Sequence, residues 1–118
     1  MRILISGGAG FVASHLADRW IADGHQVIAA DNLITGRRAN IAHLLKNPAF
    51  TYIEQDICEP LKVDGRLDCV FHMASPASPF DYLANPIETM LVMVTKSRPW
   101  GPNRGKNPAA WQAWVVCL

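Results

Sequence analysis

The residues best placed to do chemistry stand near the front of the chain. In "SGGAGFVASH" the small residues Gly7, Gly10 and Ala13 recur at every third position, and Asp31 follows Gly10 by 21 residues. A glycine at the first position permits a turn too tight for a Cβ. The second lets a pyrophosphate approach the backbone, and the third small residue lets a helix pack closely on a sheet; alanine is an accepted substitute there. A phosphate held at a helix N-terminus meets unpaired N–H groups and the positive dipole end, so it needs no lysine. A carboxylate about 20 residues further on accepts hydrogen bonds from an adenosine ribose. It also repels a 2′-phosphate, which favours NAD over NADP. Arg37 and Arg38 pull the other way, because nearby arginines receive such a phosphate. The carboxylate decides for NAD. The bland alternative is a structural glycine turn with Asp31 as a cap.

Such a turn needs a strand before it and a helix after it. "RILIS" (2–6) is a short apolar run closed by glycines, the profile of a buried parallel strand. From Phe11 the apolar positions Val12, Leu16, Trp20 and Ala13, Ala17, Ile21 fall four apart, which predicts one helical stripe with Ser14, His15, Asp18, Arg19 and Asp23 largely outside it. Gly24 offers a left-handed stop. Further strands are expected near 26–30, 50–54 and 68–73, with a short helix over 40–48 ending before Pro48 and another from about 79 to 94. Strands alternating with helices imply right-handed crossovers. The expected fold is α/β: a Rossmann-like parallel sheet in the order 3-2-1-4, half of a doubly wound domain.

Composition excludes several other classes. Of 118 residues, 50% are hydrophobic and 18% charged, which is ordinary for a globular domain. A formal net charge of +1 gives no argument for nucleic acid. No apolar run approaches a membrane span or a signal peptide, so a cytoplasmic location is expected. Cys58, Cys69 and Cys117 fit neither a zinc site nor a redox pair and read as free thiols.

Longer segments then carry a resemblance. "GGAGFVASH", "DNLITGRRANI", "DICEPL" and above all "HMASPASPFDYLANPIET" resemble the extended short-chain dehydrogenase/reductase superfamily, the NAD-dependent epimerases and dehydratases. Within it the likeness is strongest to the UDP-glucuronate decarboxylases, or UDP-xylose synthases, over residues 1 to about 90. The resemblance implies that Gly7, Gly10, Phe11 and Val12 line the cofactor pyrophosphate. It places Asp31 and Asn32 at the adenosine ribose, with Thr35, Gly36 and Arg37 closing around that end. Asp56 and Ile57 would flank the adenine, and Met73, Ala74 and Ser75 would run beside the nicotinamide half. Leu61 and Tyr82 would lie toward the nucleotide sugar. Without the family, Ser75 and Ser78 read as turn-formers, Asp56 as a strand end, Trp20 as core and His72 as a packed or capping histidine.

The reaction so implied is redox-neutral overall. Oxidation at C4 of UDP-glucuronate makes a 4-keto sugar whose carboxylate leaves as carbon dioxide, and return of the hydride yields UDP-xylose; the cofactor is NAD. Members of the family are expected to be homodimers. The superfamily's base is a tyrosine followed four residues later by lysine. Here Tyr52 is followed by Asp56, and Tyr82 by Pro86, so no catalytic residue is assigned and the chain alone is expected to be inactive.

The tail differs from the body. After Thr95 come three of the four tryptophans and three of the eight prolines, without sustained periodicity. Codons for Arg98, Pro99, Trp100 and Gly101, read two bases later, can encode the Ala-Leu-Gly of the family's next helix. The expected organisation is therefore residues 1–95 as the N-terminal part of an NAD-binding domain and 96–118 as an irregular tail, with a shifted reading frame or a gene-model fragment as its expected origin. Two alternatives stay open: a fragment of a 4-epimerase or 4,6-dehydratase, and a non-catalytic nucleotide-binding half-domain.

Overall fold

The computed structural model describes residues 1–59, 61–74 and 87. The elements are β1 (Arg2–Ser6), α1 (Phe11–Ala22), β2 (Gln26–Asp31), α2 (Arg38–Ile41), β3 (Phe50–Glu54) and β4 (Cys69–His72). All strand pairs are parallel and the order is β3-β2-β1-β4, as the alternating pattern predicts. Of the helix expected over 79–94 only Ile87 is described, helical and exposed, and the tail from 96 lies outside the described residues.

Both faces of the sheet are covered, which explains the unbroken apolar runs in β1 and β2. Ile3, Ile5, Val27 and Ala29 face α1 and pack with Ala13, Ala17, Ile41, Leu44 and Phe50. Leu4, Ile28 and Ala30 face the other way, against Ile57 and Leu61 from the segment leading to β4. Burial of this kind contributes roughly 25 cal/mol per Å² of apolar surface.

Two local expectations need correction. The buried face of α1 is Ala13, Ser14 and Ala17, whereas Val12 is exposed. Small residues let the helix lie close to the sheet, and the Ser14 hydroxyl is satisfied by donating to the Phe11 carbonyl at 2.8 Å. The helix expected over 40–48 is instead the four-residue α2, begun earlier at Arg38. The N–H groups of Leu44 and Asn47 donate to the carbonyls three residues back, at 2.9 and 2.8 Å, so the chain continues as tight turns. Pro48 bars a helical conformation at Asn47, whose side chain instead accepts the Ala49 N–H at 2.9 Å. Gly24 does close α1 with φ +83°.

Candidate functional site: a glycine turn at the carboxyl edge of the sheet

The carboxyl ends of the four strands bring most of the expected residues together. Ser6 pairs in register with His72 and Ala30, and Asp31 with Glu54. The chain leaves β1 through Gly7, whose N–H donates to the Ala30 carbonyl at 2.7 Å. Gly7 has φ +73°, and a Cβ there would stand 2.6 Å from the Ala74 backbone nitrogen. Glycine is required by conformation and by space at once.

Gly10 is the N-cap of α1 and offers no side chain to its first N–H groups, and no acidic residue occupies the first turn. Those amides have no intrahelical acceptors. Among the described residues, a Cβ on Gly10 would meet only the Gly7 carbonyl oxygen within 4 Å, at 3.1 Å. The turn is therefore open where an anion would approach, with Phe11 and Val12 exposed beside it.

Asp31 is buried at the end of β2. Its Oδ2 accepts the Ala9 N–H at 2.9 Å and its Oδ1 the Leu33 N–H at 2.8 Å. A carboxylate has about four acceptor positions, of which the described residues take two. Gly36 lies directly over it: a Cβ there would stand 2.8 Å from both carboxylate oxygens. The intervening loop is held by the Asn32 side chain, which accepts the Ile34 N–H at 3.2 Å, and by the Arg37 N–H, which donates to the Ala9 carbonyl at 3.0 Å. Thr35 and Arg37 are exposed on this loop.

Other expected positions sit less openly. Asp56 accepts the Cys58 N–H at 2.8 Å and lies half-buried past the end of β3. Ile57 and Leu61 are packed in the second core cluster. Met73 continues β4, its N–H donating to the Ser6 carbonyl at 2.9 Å, and brings Ala74 against Gly7. Ser75 and Tyr82 lie outside the described residues.

Three features escaped the spacing argument. Ala9 ties the turn to the next loop, since its carbonyl also accepts the Asn40 side-chain amide at 2.8 Å. The buried Ser6 hydroxyl and His72 Nδ1 are 2.5 Å apart, joining the ends of β1 and β4. Arg38 pairs with Glu54 at 3.2 Å and lies over the Tyr52 ring. The last two combine residues far apart in the chain and leave no short-range signal.

The family model for the NAD dependent epimerase/dehydratase family matches residues 3–98. The chain belongs to that family. Over 89 residues it is 49% identical to UDP-glucuronic acid decarboxylase 1 of Danio rerio, covering 75% of this chain and 21% of that protein. Over 90 residues it is 47% identical to UDP-glucuronic acid decarboxylase 1 of Arabidopsis thaliana, covering 76% and 20%. The chain thus spans about a fifth of the length of these relatives. Among solved structures it resembles UDP-glucose 4-epimerase of Thermotoga maritima with UDP-glucose, at TM-score 0.61 and 33% identity over 82% of this chain and 34% of that one. It also resembles the Bordetella bronchiseptica enzyme WbmF in complex with NAD+, at TM-score 0.68 and 27% identity over 79% and 30%.

For a chain of this epimerase/dehydratase family, the fit to a dinucleotide is chemical as well as topological. An open glycine turn at an uncapped helix N-terminus suits a pyrophosphate, and a strand-end carboxylate suits a ribose. Among the described residues no group of His, Cys, Asp and Glu forms a metal site, and no helix is long and apolar enough to cross a membrane. Cys69 is a free thiol.

Proposed function

We propose that this chain is the N-terminal, NAD-binding portion of a UDP-glucuronate decarboxylase. The observation that carries this reading is the near-half identity to UDP-glucuronic acid decarboxylases across the strand, turn and helix that build the site. Gly7 and Gly10 hold the pyrophosphate through backbone N–H groups at the start of α1, flanked by Phe11 and Val12. Asp31 and Asn32 receive the adenosine ribose, and Thr35, Gly36 and Arg37 close over that end. Asp56 and Ile57 flank the adenine, and Met73, Ala74 and Ser75 line the nicotinamide half. Leu61 and Tyr82 belong to the sugar-nucleotide side. NAD held by these residues would supply reversible hydride transfer at the sugar C4.

Residues 1–95 are assigned to this binding portion, and 96–118 are assigned no part in it. The complete enzyme acts in the cytoplasm as a homodimer on UDP-glucuronate, releasing carbon dioxide and UDP-xylose. Neither Tyr52 nor Tyr82 is followed at four residues by lysine, so this chain lacks the base for the C4 hydroxyl. A second reading, a 4-epimerase portion, is favoured by likeness to solved 4-epimerases, that of Thermotoga maritima at 33% identity among them.

Calorimetric titration of the 118-residue chain with NAD tests the binding reading. Saturable binding is expected, weakened in Asp31→Ala by about 1–3 kcal/mol, the cost of a lost charge-assisted contact. Absence of binding would overturn it. Carbon dioxide release from UDP-glucuronate by the purified chain would overturn the assignment of a binding role alone.

A further inference from the structure

Arg37 and Arg38 are the two cations close to the ribose-binding carboxylate in sequence, and both could in principle serve a 2′-phosphate. The structure treats them differently. Arg37 is exposed and is held through its backbone, its N–H donating to the Ala9 carbonyl at 3.0 Å and its carbonyl accepting the Asn40 N–H at 2.9 Å. Arg38 is engaged twice: Nη1 meets Glu54 Oε2 at 3.2 Å, and its guanidinium carbon lies 5.7 Å from the centroid of the Tyr52 ring. This pair stands next to Asp31. Glu54 is its register partner across β2 and β3, and the Tyr52 hydroxyl donates to the Asp31 carbonyl at 3.2 Å.

Resting on the NAD reading above, we propose that Glu54 is a second determinant of cofactor choice. By pairing with Arg38 against the Tyr52 ring, it withholds the guanidinium that would otherwise turn to a 2′-phosphate beside Asp31. Asp31 discriminates by repulsion, and Glu54 by occupying the neutralising cation. Recruiting Arg38 to a phosphate means breaking an exposed ion pair and a cation–π contact. Each is weak singly, and together they correspond to roughly a threefold to tenfold change in affinity.

Calorimetric titration of the chain with NAD and with NADP, at low ionic strength, tests this with two variants. Glu54→Gln keeps the side-chain length on an exposed strand position while removing the charge. Its NADP-to-NAD affinity ratio is expected to rise about threefold to tenfold. Adding Arg38→Ala to Glu54→Gln is expected to return the ratio to that of the unsubstituted chain. An unchanged ratio in Glu54→Gln would overturn the proposal. So would a rise that persists in the double variant, because removal of a carboxylate's charge would then suffice without Arg38. Failure of the unsubstituted chain to bind NAD would instead overturn the underlying reading, and this proposal with it.

Discussion

Asp31 Oδ2 accepts the Ala9 N–H at 2.9 Å, so the end of β2 holds the glycine turn that follows β1. The other oxygen holds Leu33, the one described non-glycine residue with positive φ, at +60°. A residue expected from sequence to serve a ligand therefore also serves the fold. Asp31→Ala is expected to lower stability in the absence of any nucleotide by about 1–3 kcal/mol, because the buried Ala9 N–H loses its acceptor. Asp31→Asn, which keeps one acceptor oxygen, should lose less. Urea unfolding of the three proteins without ligand checks this, and equal midpoints would show that the turn does not depend on the carboxylate.

Gly7 and Gly24 both have positive φ, yet they differ in surroundings. A Cβ at Gly7 would stand 2.6–2.7 Å from the Met73 and Ala74 backbone, while one at Gly24 would meet nothing within 4 Å. Gly24→Ala should therefore cost only conformational strain, on the order of 1 kcal/mol. Gly7→Ala adds a clash with backbone that cannot rotate away, so its loss should exceed that of Gly24→Ala by about 1–3 kcal/mol. Thermal unfolding of the two variants side by side distinguishes them; equal losses would contradict the tight approach of Gly7 to β4.

The Ser6–His72 contact fastens the two strands on which Gly7 and Met73 depend. Either tautomer serves, with the hydroxyl donating to Nδ1 or Nδ1–H donating to the hydroxyl oxygen. Ser6→Ala and His72→Phe each strand a buried polar partner or repack its space, and each should cost about 1–3 kcal/mol. Because the residues touch, the double variant should cost less than the sum, with a coupling of about 0.5–3 kcal/mol. Simple additivity in denaturant unfolding would mean that the contact contributes nothing.

Much of this architecture was legible because local pattern and chain topology agree. β1 and β2 are continuous apolar runs ended by glycine or a carboxylate, and burial on both sheet faces demands that composition. Gly7, Gly10 and Asp31 were legible because a tight turn, an open cap and a strand-end carboxylate each restrict residue type. Ala9 was not, since its contribution is made by its N–H and carbonyl, which every residue but proline possesses. Ser14 was misplaced because a polar residue is buried once its hydroxyl finds the helix backbone. The Arg38–Glu54 pair depends on the register of β2 against β3, which no window of sequence specifies.

Tyr52 connects that register to pH. Burial raises its phenol above the ordinary value, the charges of Asp31 and Glu54 raise it further, and Arg38 partly opposes them. The folded chain thus keeps the phenolic proton at a pH where the unfolded chain, with an ordinary value of about 10, releases it. Unfolding then releases a proton, so this contribution to stability is full below about pH 10 and is lost as pH rises toward the folded value. Ionisation also removes the O–H that donates to the Asp31 carbonyl, which works in the same direction. Tyr52→Phe has no proton to lose and should start less stable by about 0.5–1.5 kcal/mol at neutral pH, the net worth of one hydrogen bond. Its stability should then fall less steeply between about pH 9 and 11, so that the two curves converge. Lysines titrate in the same window but are common to both proteins, so the difference between the curves isolates Tyr52. Parallel urea-unfolding curves across that range would show that the phenol is not held in its protonated form by the fold.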